Sequence, residues 1–103
     1  MKEHTRYIER SDLKGATHLR VSVYYDKGGM NYFTDQFSPR GYYLSVRPVT
    51  LGPHTVGYEM YSGFKRLILE TKRYSDKQFN TAIEMAKAYE DDLIAKAVMK
   101  KAA

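Results

Sequence analysis

Cysteine is absent from this chain of 103 residues. Its absence excludes disulfides, a cysteine nucleophile and thiolate metal sites, and it is typical of proteins kept in a reducing cytoplasm. Long apolar runs are lacking as well, since no stretch approaches the roughly 18 residues that a membrane-spanning helix needs. Residues 1–7 contain no apolar core of a signal peptide. We therefore expect a cytoplasmic protein that does not enter the membrane.

The patterns of known metal, phosphate-loop and nucleophile sites are also missing. The histidines His4, His18 and His54 have no metal-ligand spacing, and there is no cysteine to complete a zinc site. Gly28-Gly29 lacks the lysine and the spaced glycines of a phosphate loop and predicts a turn instead. No serine lies in a nucleophile-elbow motif. Nothing in these motifs supports an enzyme, a cofactor or a metal.

Two glutamates in β-rich sequence, Glu59 and Glu70, admit two interpretations. On neighbouring strands they would be able to form a general acid–base pair. Acidic residues in a basic sheet more often form cross-strand ion pairs, for which Arg66 or Lys72 would serve. Since no other motif supports catalysis, the sequence predicts a protein that is not an enzyme.

Positive charge is concentrated in the middle of the chain. Over residues 13–74, lysine and arginine exceed aspartate and glutamate by nine to four, which gives the whole net charge of +5. Residues 1–12 balance three against three, and residues 75–103 balance five against five. The middle segment also holds eight of the ten tyrosines. A basic segment rich in tyrosine is one way of building a surface that binds polyanions.

Alternation of apolar residues in this segment predicts β-strands. In residues 19–25 and 42–47 every second side chain belongs to one face, and the residues between them belong to the other. The Asp26–Gly29 turn predicts a hairpin whose return strand is 30–34. Because proline donates no hydrogen bond, the later strand is expected to end at Pro48 or to run on an edge.

A second hairpin is predicted from residues 56–61 and 64–71, which are β-rich on either side of a Ser-Gly pair. The pattern of the second strand leaves its buried face open. Either Leu67 and Leu69 or Phe64 and Ile68 face the core, and both faces are candidates for partial cover.

The period changes from two to helical at Ser75. Ser75 and Gln78 have the spacing of a capping box, which predicts that a helix of about 22–25 residues begins here. The apolar residues that follow at helical spacing are Phe79, Ala82, Ile83, Ala86, Tyr89, Leu93 and Ala97. The predicted architecture is a flexible lead-in (1–12) and a single α+β domain (13–103). This domain is an antiparallel meander sheet of four to five strands with one long C-terminal helix packed on one face.

Arginine and tyrosine share the predicted sheet face that lies opposite the aliphatic side chains. If the helix covers the aliphatic face, these residues are presented to solvent together. Arginine binds phosphates or guanine edges, and tyrosine bonds to phosphates or stacks on bases. A second group of cations lies near the helix start. The predicted nucleic-acid-binding residues are Arg20, Tyr24, Tyr43, Arg47, Lys65, Arg66, Lys72 and Arg73.

Two functions follow from this face. The first is a small accessory protein that binds DNA or RNA. The alternative is a protein–protein interaction module, in which the cations pair with Glu59, Glu70 and Asp35 and leave an apolar or tyrosine-rich patch. Such a patch would also allow a homodimer.

Two stretches, residues 26–33 and 41–49, resemble small uncharacterised proteins carried by conjugative and phage-like elements of gut Firmicutes. This resemblance covers most of residues 17–100 and implies a mobile-element setting in the cytoplasm. It implies no mechanism and no site residue, and the alternative function is therefore an interaction module of such an element.

The order of strands followed by one capped helix, over residues 41–95, also resembles sheet-plus-helix DNA-binding domains. Examples are the amino-terminal domain of conjugative-transposon tyrosine integrases and the plant AP2 domain. A short sequence similarity to them lies in the helix at Ala86-Lys87-Ala88-Tyr89. These domains enter the major groove with the exposed face of a three-stranded sheet. The resemblance implies Tyr43, Arg47, Arg66 and Glu70 as residues of the corresponding face.

Overall fold

The computed structural model describes residues 1–13, 15–52, 55–58 and 63–102, and over 55–58 and 99–102 it describes the backbone only. This part of the chain contains seven strands and one helix. They are β1 (Glu3–Glu9), β2 (His18–Asp26), β3 (Gly29–Asn31), β4 (Gln36–Ser38), β5 (Gly41–Gly52), β6 (Thr55–Tyr58), β7 (Phe64–Glu70) and α1 (Asp76–Ala102).

Five strands form one antiparallel sheet in the order β1-β2-β5, with β6 and β7 both on the outer edge of β5. β7 pairs with residues 41–46 of β5, and β6 pairs with Thr50 and Gly52. β3 and β4 form a separate two-stranded hairpin between β2 and β5. The helix packs on one face of the sheet, against β2, β5 and β7. The predicted α+β meander with one long C-terminal helix is confirmed.

The hydrophobic core lies between α1 and the sheet. The alternation predicted for β2 and β5 is observed, because Leu19, Val21, Val23, Leu44 and Val46 are all buried. The helical stripe adds the buried residues Phe79, Ala82, Ala86, Leu93 and Ala97. Three of those five are alanine, and their short side chains let the helix axis lie close to the sheet.

The start of α1 is fixed by a side chain of its own sequence and by one from β5. The Gln78 N–H donates to Ser75 Oγ at 3.1 Å, so Ser75 is the N-cap residue. The Ser75 N–H donates to the hydroxyl of Tyr42, on β5, at 2.9 Å. In a full capping box the Gln78 side chain would accept this hydrogen bond, so Tyr42 replaces it here. From Asp76 the helix runs for 27 residues, slightly longer than predicted.

Ser75→Ala is expected to lower the free energy of unfolding by about 1 kcal/mol, because the Gln78 N–H loses its acceptor. Urea denaturation followed by circular dichroism measures the loss. Ser75→Asp is the matched control, since its carboxylate keeps an acceptor at the same place and favours the positive end of the helix dipole. An equal loss in both variants would show that the cap does not contribute.

Residues 1–12 differ from the predicted flexible lead-in, because β1 lies within them and pairs with β2 along its whole length. The strand is polar on both faces, with only Ile8 half-buried, since it forms the edge of the sheet. Arg6 connects this edge to the helix by donating from Nη2 to Glu90 Oε2 at 2.6 Å. The polar composition of residues 1–12 therefore led to the prediction of a flexible segment where the structure has an edge strand.

The strand pairing differs from both predicted hairpins. The turn at 26–29 does not return residues 30–34 along β2, because β2 pairs with β5 and β3 pairs with β4. In the described residues β6 and β7 do not pair with each other, since both run antiparallel to β5 on the same edge. Pro48 does not end its strand, which is central and continues to Gly52. It lies between the part of β5 that pairs with β7 and the part that pairs with β6.

A change of register explains why β7 follows neither of the two predicted patterns. The pairing of β5 with β7 shifts at Ile68, which is buried in the core. Phe64 and Leu69 pack against the core, whereas Leu67 lies opposite Tyr43 on the other face. A bulge of this kind interrupts the simple alternation on which the sequence prediction depends.

Candidate nucleic-acid interface

The residues between the buried side chains of β2 and β5 lie on the sheet face that α1 does not cover, called here the open face. Strand register places Arg20 opposite Arg47 and Tyr24 opposite Tyr43. Lys65 extends the same face onto β7. The structure therefore brings five of the eight predicted residues to one face.

A concavity of about 400 Å³ opens on this face and is called here the arginine concavity. Its lining residues are Met1, Lys2, Glu3, Arg20, Ser22, Tyr24, Tyr25, Ser45 and Arg47. Ser22 and Ser45 are buried, while the two arginines are half-buried. The arrangement places two guanidinium groups beside two serine side chains, with Glu3 as the acidic residue of the lining.

Tyr24 and Tyr43 form a stacked pair, with ring centroids 6.1 Å apart and planes inclined by 23°. Tyr43 is only 4% exposed and donates its hydroxyl to the Pro39 carbonyl oxygen at 2.6 Å. The Nζ atom of Lys65 lies 4.9 Å from the centroid of its ring. Contrary to prediction, Tyr43 therefore presents neither a ring face nor a hydroxyl to a ligand.

Both phenols of this pair are held in the neutral form. Burial is the main cause that raises the pKa of Tyr24, and the negative charge of Asp26 raises it further. The pKa of Tyr43 is raised by the same two causes and by Glu70. A neutral phenol donates a hydrogen bond, so Tyr24, which is half-buried and lines the arginine concavity, has the donor chemistry that an anion requires.

Arg66 lies on the side of the sheet that the helix covers. Its position opposite Leu44 directs it towards α1, where its guanidinium carbon is 4.0 Å from the centroid of the Tyr89 ring. This is a cation–π contact between sheet and helix. Arg66 is thus not part of the open face, contrary to the prediction and to the integrase and AP2 resemblance.

Lys72 and Arg73 lie in the connection between β7 and α1, near the Tyr25–Asp26 end of β2 and away from Arg20 and Arg47. From Arg20 to the end of β2 is six residues, or roughly 20 Å of strand. The Thr71 N–H donates to the Arg40 carbonyl oxygen at 3.1 Å, and Arg40 Nη1 donates to the Lys72 carbonyl oxygen at 3.4 Å. The predicted cations therefore form two separate groups, and the second includes Arg40.

The glutamates and histidines singled out in the sequence lie apart or outside the described residues. Glu70 lies opposite Gly41, and its proposed partner Glu59 lies outside the described residues. His54 lies outside them as well, and His18 contacts the neighbouring Thr17 hydroxyl through Nδ1 at 2.7 Å. Among residues 1–13, 15–52, 55–58 and 63–102, no three acidic or histidine side chains are grouped as metal ligands.

Neither a protein-family model, nor a curated protein, nor a solved structure matches this chain. The resemblances based on residues 26–33 and 41–49, and on the order of strands and helix, therefore stay predictions. In the described residues, no helix has both the length and the apolar character to cross a membrane.

The sequence interpretation missed the aromatic residues of the hairpin formed by β3 and β4. They were assigned to a return strand, yet Tyr32 and Phe33 lie in the turn and are exposed to solvent. The available signal was an aromatic pair, Tyr32-Phe33, enclosed by turn residues and not followed by alternating aliphatic ones. Such a segment favours an exposed aromatic loop over a strand of the main sheet.

Proposed function

We propose that this protein is a non-enzymatic nucleic-acid-binding protein whose open face contacts phosphate groups. The observation that carries the proposal is the cross-strand pair Arg20 and Arg47, which lines the arginine concavity beside Ser22 and Ser45. Guanidinium groups bind phosphate oxygens in a bidentate manner.

Cations on this face extend across three neighbouring strands. Arg20 lies on β2, Arg47 on β5 and Lys65 on β7. Adjacent strands are about 4.8 Å apart, so the three side chains cover a stripe across the sheet that is long enough for more than one phosphate. The whole net charge of +5 arises in residues 13–74, which contain these strands, and it favours the approach of a polyanion.

Removing the two arginines tests the proposal. The double variant Arg20→Gln/Arg47→Gln is expected to bind a labelled oligonucleotide more weakly than the wild type at about 50 mM salt. Its dependence on salt between about 50 and 200 mM should also be less steep. Loss of two phosphate contacts decreases the slope of log K against log salt by roughly 1.4 for a single strand. Fluorescence anisotropy measures both quantities.

Lys87→Gln/Lys96→Gln is the matched control. These lysines pair with Glu84 and Asp92 on the exposed side of α1, and their removal lowers the net charge by the same two units. An equal loss of affinity in both double variants would mean that overall charge and not the open face attracts the nucleic acid. Absence of binding by the wild type at low salt would refute the proposed function itself.

A further inference from the structure

The hairpin of β3 and β4, residues 29–38, carries the two most exposed large apolar side chains of the described residues and two further exposed ones. Phe33 is fully exposed, Tyr32 is 88% exposed and Phe37 is 68% exposed. Met30, opposite Phe37, is also exposed. Clustered exposed apolar groups of this kind mark interaction sites more often than they contribute to folding.

Polar contacts, and not the aromatic side chains, set the conformation of this hairpin. The Phe33 N–H donates to Asn31 Oδ1 at 3.0 Å, and the Thr34 N–H donates to the Asn31 carbonyl oxygen at 3.3 Å. Asp35 adopts a φ of 55°, which asparagine and aspartate tolerate better than most residues. The turn therefore does not require an aromatic ring at position 32 or 33, and the rings are available for binding.

Cations surround the base of the hairpin. Lys27, Arg40, Lys72 and Arg73 are exposed there. Arg40 joins the two segments that carry them, because its Nε donates to the Lys27 carbonyl oxygen at 2.9 Å and its Nη1 donates to the Lys72 carbonyl oxygen. Carboxylates lie among these cations, since Asp26 accepts from the Gly28 N–H, Glu70 ends β7, Asp35 lies in the hairpin and Asp76 pairs with Lys2 at the start of α1. The four cations are exposed beside the hairpin and can reach a ligand that its rings hold.

We propose that the hairpin binds unpaired bases, which makes single-stranded nucleic acid the partner of this protein. This inference rests on the proposed function of the open face. Exposed aromatic rings stack on bases of any sequence, and cations beside them hold the sugar–phosphate backbone. Bases within a duplex already stack on each other, so only a single strand offers the faces that Tyr32 and Phe33 require.

Charge at the tip of the hairpin makes other occupants less suitable. Insertion into a lipid bilayer would bury the carboxylate of Asp35 and the amide of Asn31, which lie on either side of Tyr32 and Phe33. An apolar pocket on a second copy of the chain would satisfy the rings but would leave the four cations at the base without a complementary group. A single-stranded polyanion satisfies both.

Truncating one ring tests the inference. Phe33→Ala is expected to weaken binding to a single-stranded oligonucleotide about tenfold or more, the effect of losing one base stack. Binding to the corresponding duplex should change little. The salt slope should stay the same, because no charge is removed, and thermal stability should stay the same, because the side chain is fully exposed. Anisotropy titrations and thermal denaturation measure these four quantities.

Phe33→Trp is the conservative variant and also a reporter, since the chain contains no tryptophan. It is expected to retain the affinity, and its fluorescence should be quenched by the single strand. If the single strand binds through Arg20 and Arg47 without quenching and without loss in Phe33→Ala, the hairpin inference is wrong while the proposed function stands. If no oligonucleotide binds, both are wrong. A blue shift of the tryptophan emission that grows with protein concentration in the absence of nucleic acid would assign the hairpin to self-association and overturn the inference.

Discussion

Replacement of Tyr42 by alanine is expected to lower the free energy of unfolding by about 3–5 kcal/mol, the range for a buried aromatic side chain. Tyr42 is 0% exposed, and its ring centroid lies 5.1 Å from that of Tyr25, 5.9 Å from that of Tyr74 and 6.4 Å from that of Phe79. The hydroxyl donates to the Ser75 carbonyl oxygen and accepts from the Ser75 N–H, both at 2.9 Å. The variant therefore loses core packing and the connection between β5 and the start of α1.

Tyr42→Phe separates these two contributions. It keeps the ring contacts and removes the hydroxyl, so the Ser75 N–H loses its acceptor, at an expected cost of about 1–3 kcal/mol. Urea denaturation of both variants measures the difference. Equal losses in the two variants would show that the ring contributes nothing, and an unchanged phenylalanine variant would show that the hydroxyl bridge has no effect on stability. Since domains are stable by about 5–15 kcal/mol, the alanine variant should be close to unfolding.

The elements that sequence reasoning recovered are those that depend on short-range patterns. The alternation around Leu19 and Leu44 repeats every two residues, and the helix start depends on two residues three positions apart, Ser75 and Gln78. Burial of one face of a strand and a hydrogen bond within one turn are local requirements, so the sequence displays them directly. The predicted fold class is confirmed for this reason.

Strand pairing depends on contacts between distant segments and was predicted less well. The lead-in is an edge strand because it pairs with β2 and because Arg6 reaches Glu90, which is 84 positions away. β6 and β7 share one edge of β5, although two adjacent β-rich segments usually predict a hairpin. A polar edge strand and an interrupted strand have no local signature that distinguishes them from a tail and a hairpin.

The candidate site shows the same division. Alternation placed Arg20, Tyr24 and Arg47 on the open face, and the structure brings them together around one concavity. Whether each side chain is free to contact a ligand depends on the residues that pack around it, and the alternation of a strand does not predict those residues. Tyr43 is covered by Lys65 and Tyr24 and bonded to Pro39, while the register of β7 turns Arg66 to the helix.

The two groups of cations have complementary roles in the proposed function. The open face carries hydrogen-bond donors for phosphate and a half-buried phenol but little exposed ring surface. The hairpin carries exposed rings with cations at its base. A single strand that contacts both groups would follow β2 from Arg20 to Lys27, a path of roughly 20–25 Å at the usual rise per residue. In the proposed function, the sheet would be the spacer between the face that contacts phosphates and the hairpin that stacks on bases.

Gly41→Ala is expected to lower the free energy of unfolding by roughly 3 kcal/mol, at the upper end of the usual cost of overpacking. Gly41 lies opposite Glu70 where β5 begins, and a Cβ atom there would meet the Leu69 carbonyl oxygen, the Glu70 Cα atom at 2.9 Å and the Leu67 Cδ1 atom at 3.0 Å. Two of these three obstacles are backbone atoms, which move only if β7 moves away from β5.

Leu67→Ala identifies which obstacle matters. It removes the side-chain atom but leaves the backbone of β7 in place. The loss of unfolding free energy in the double variant Gly41→Ala/Leu67→Ala is therefore expected to be at least the sum of the losses in the two single variants. Chemical denaturation of all three variants completes the cycle. Recovery of stability in the double variant would mean that the leucine side chain and not the backbone blocks the added methyl group. Because β7 carries both Lys65 and Arg66, its separation from β5 would also displace a cation of the open face and a contact to α1.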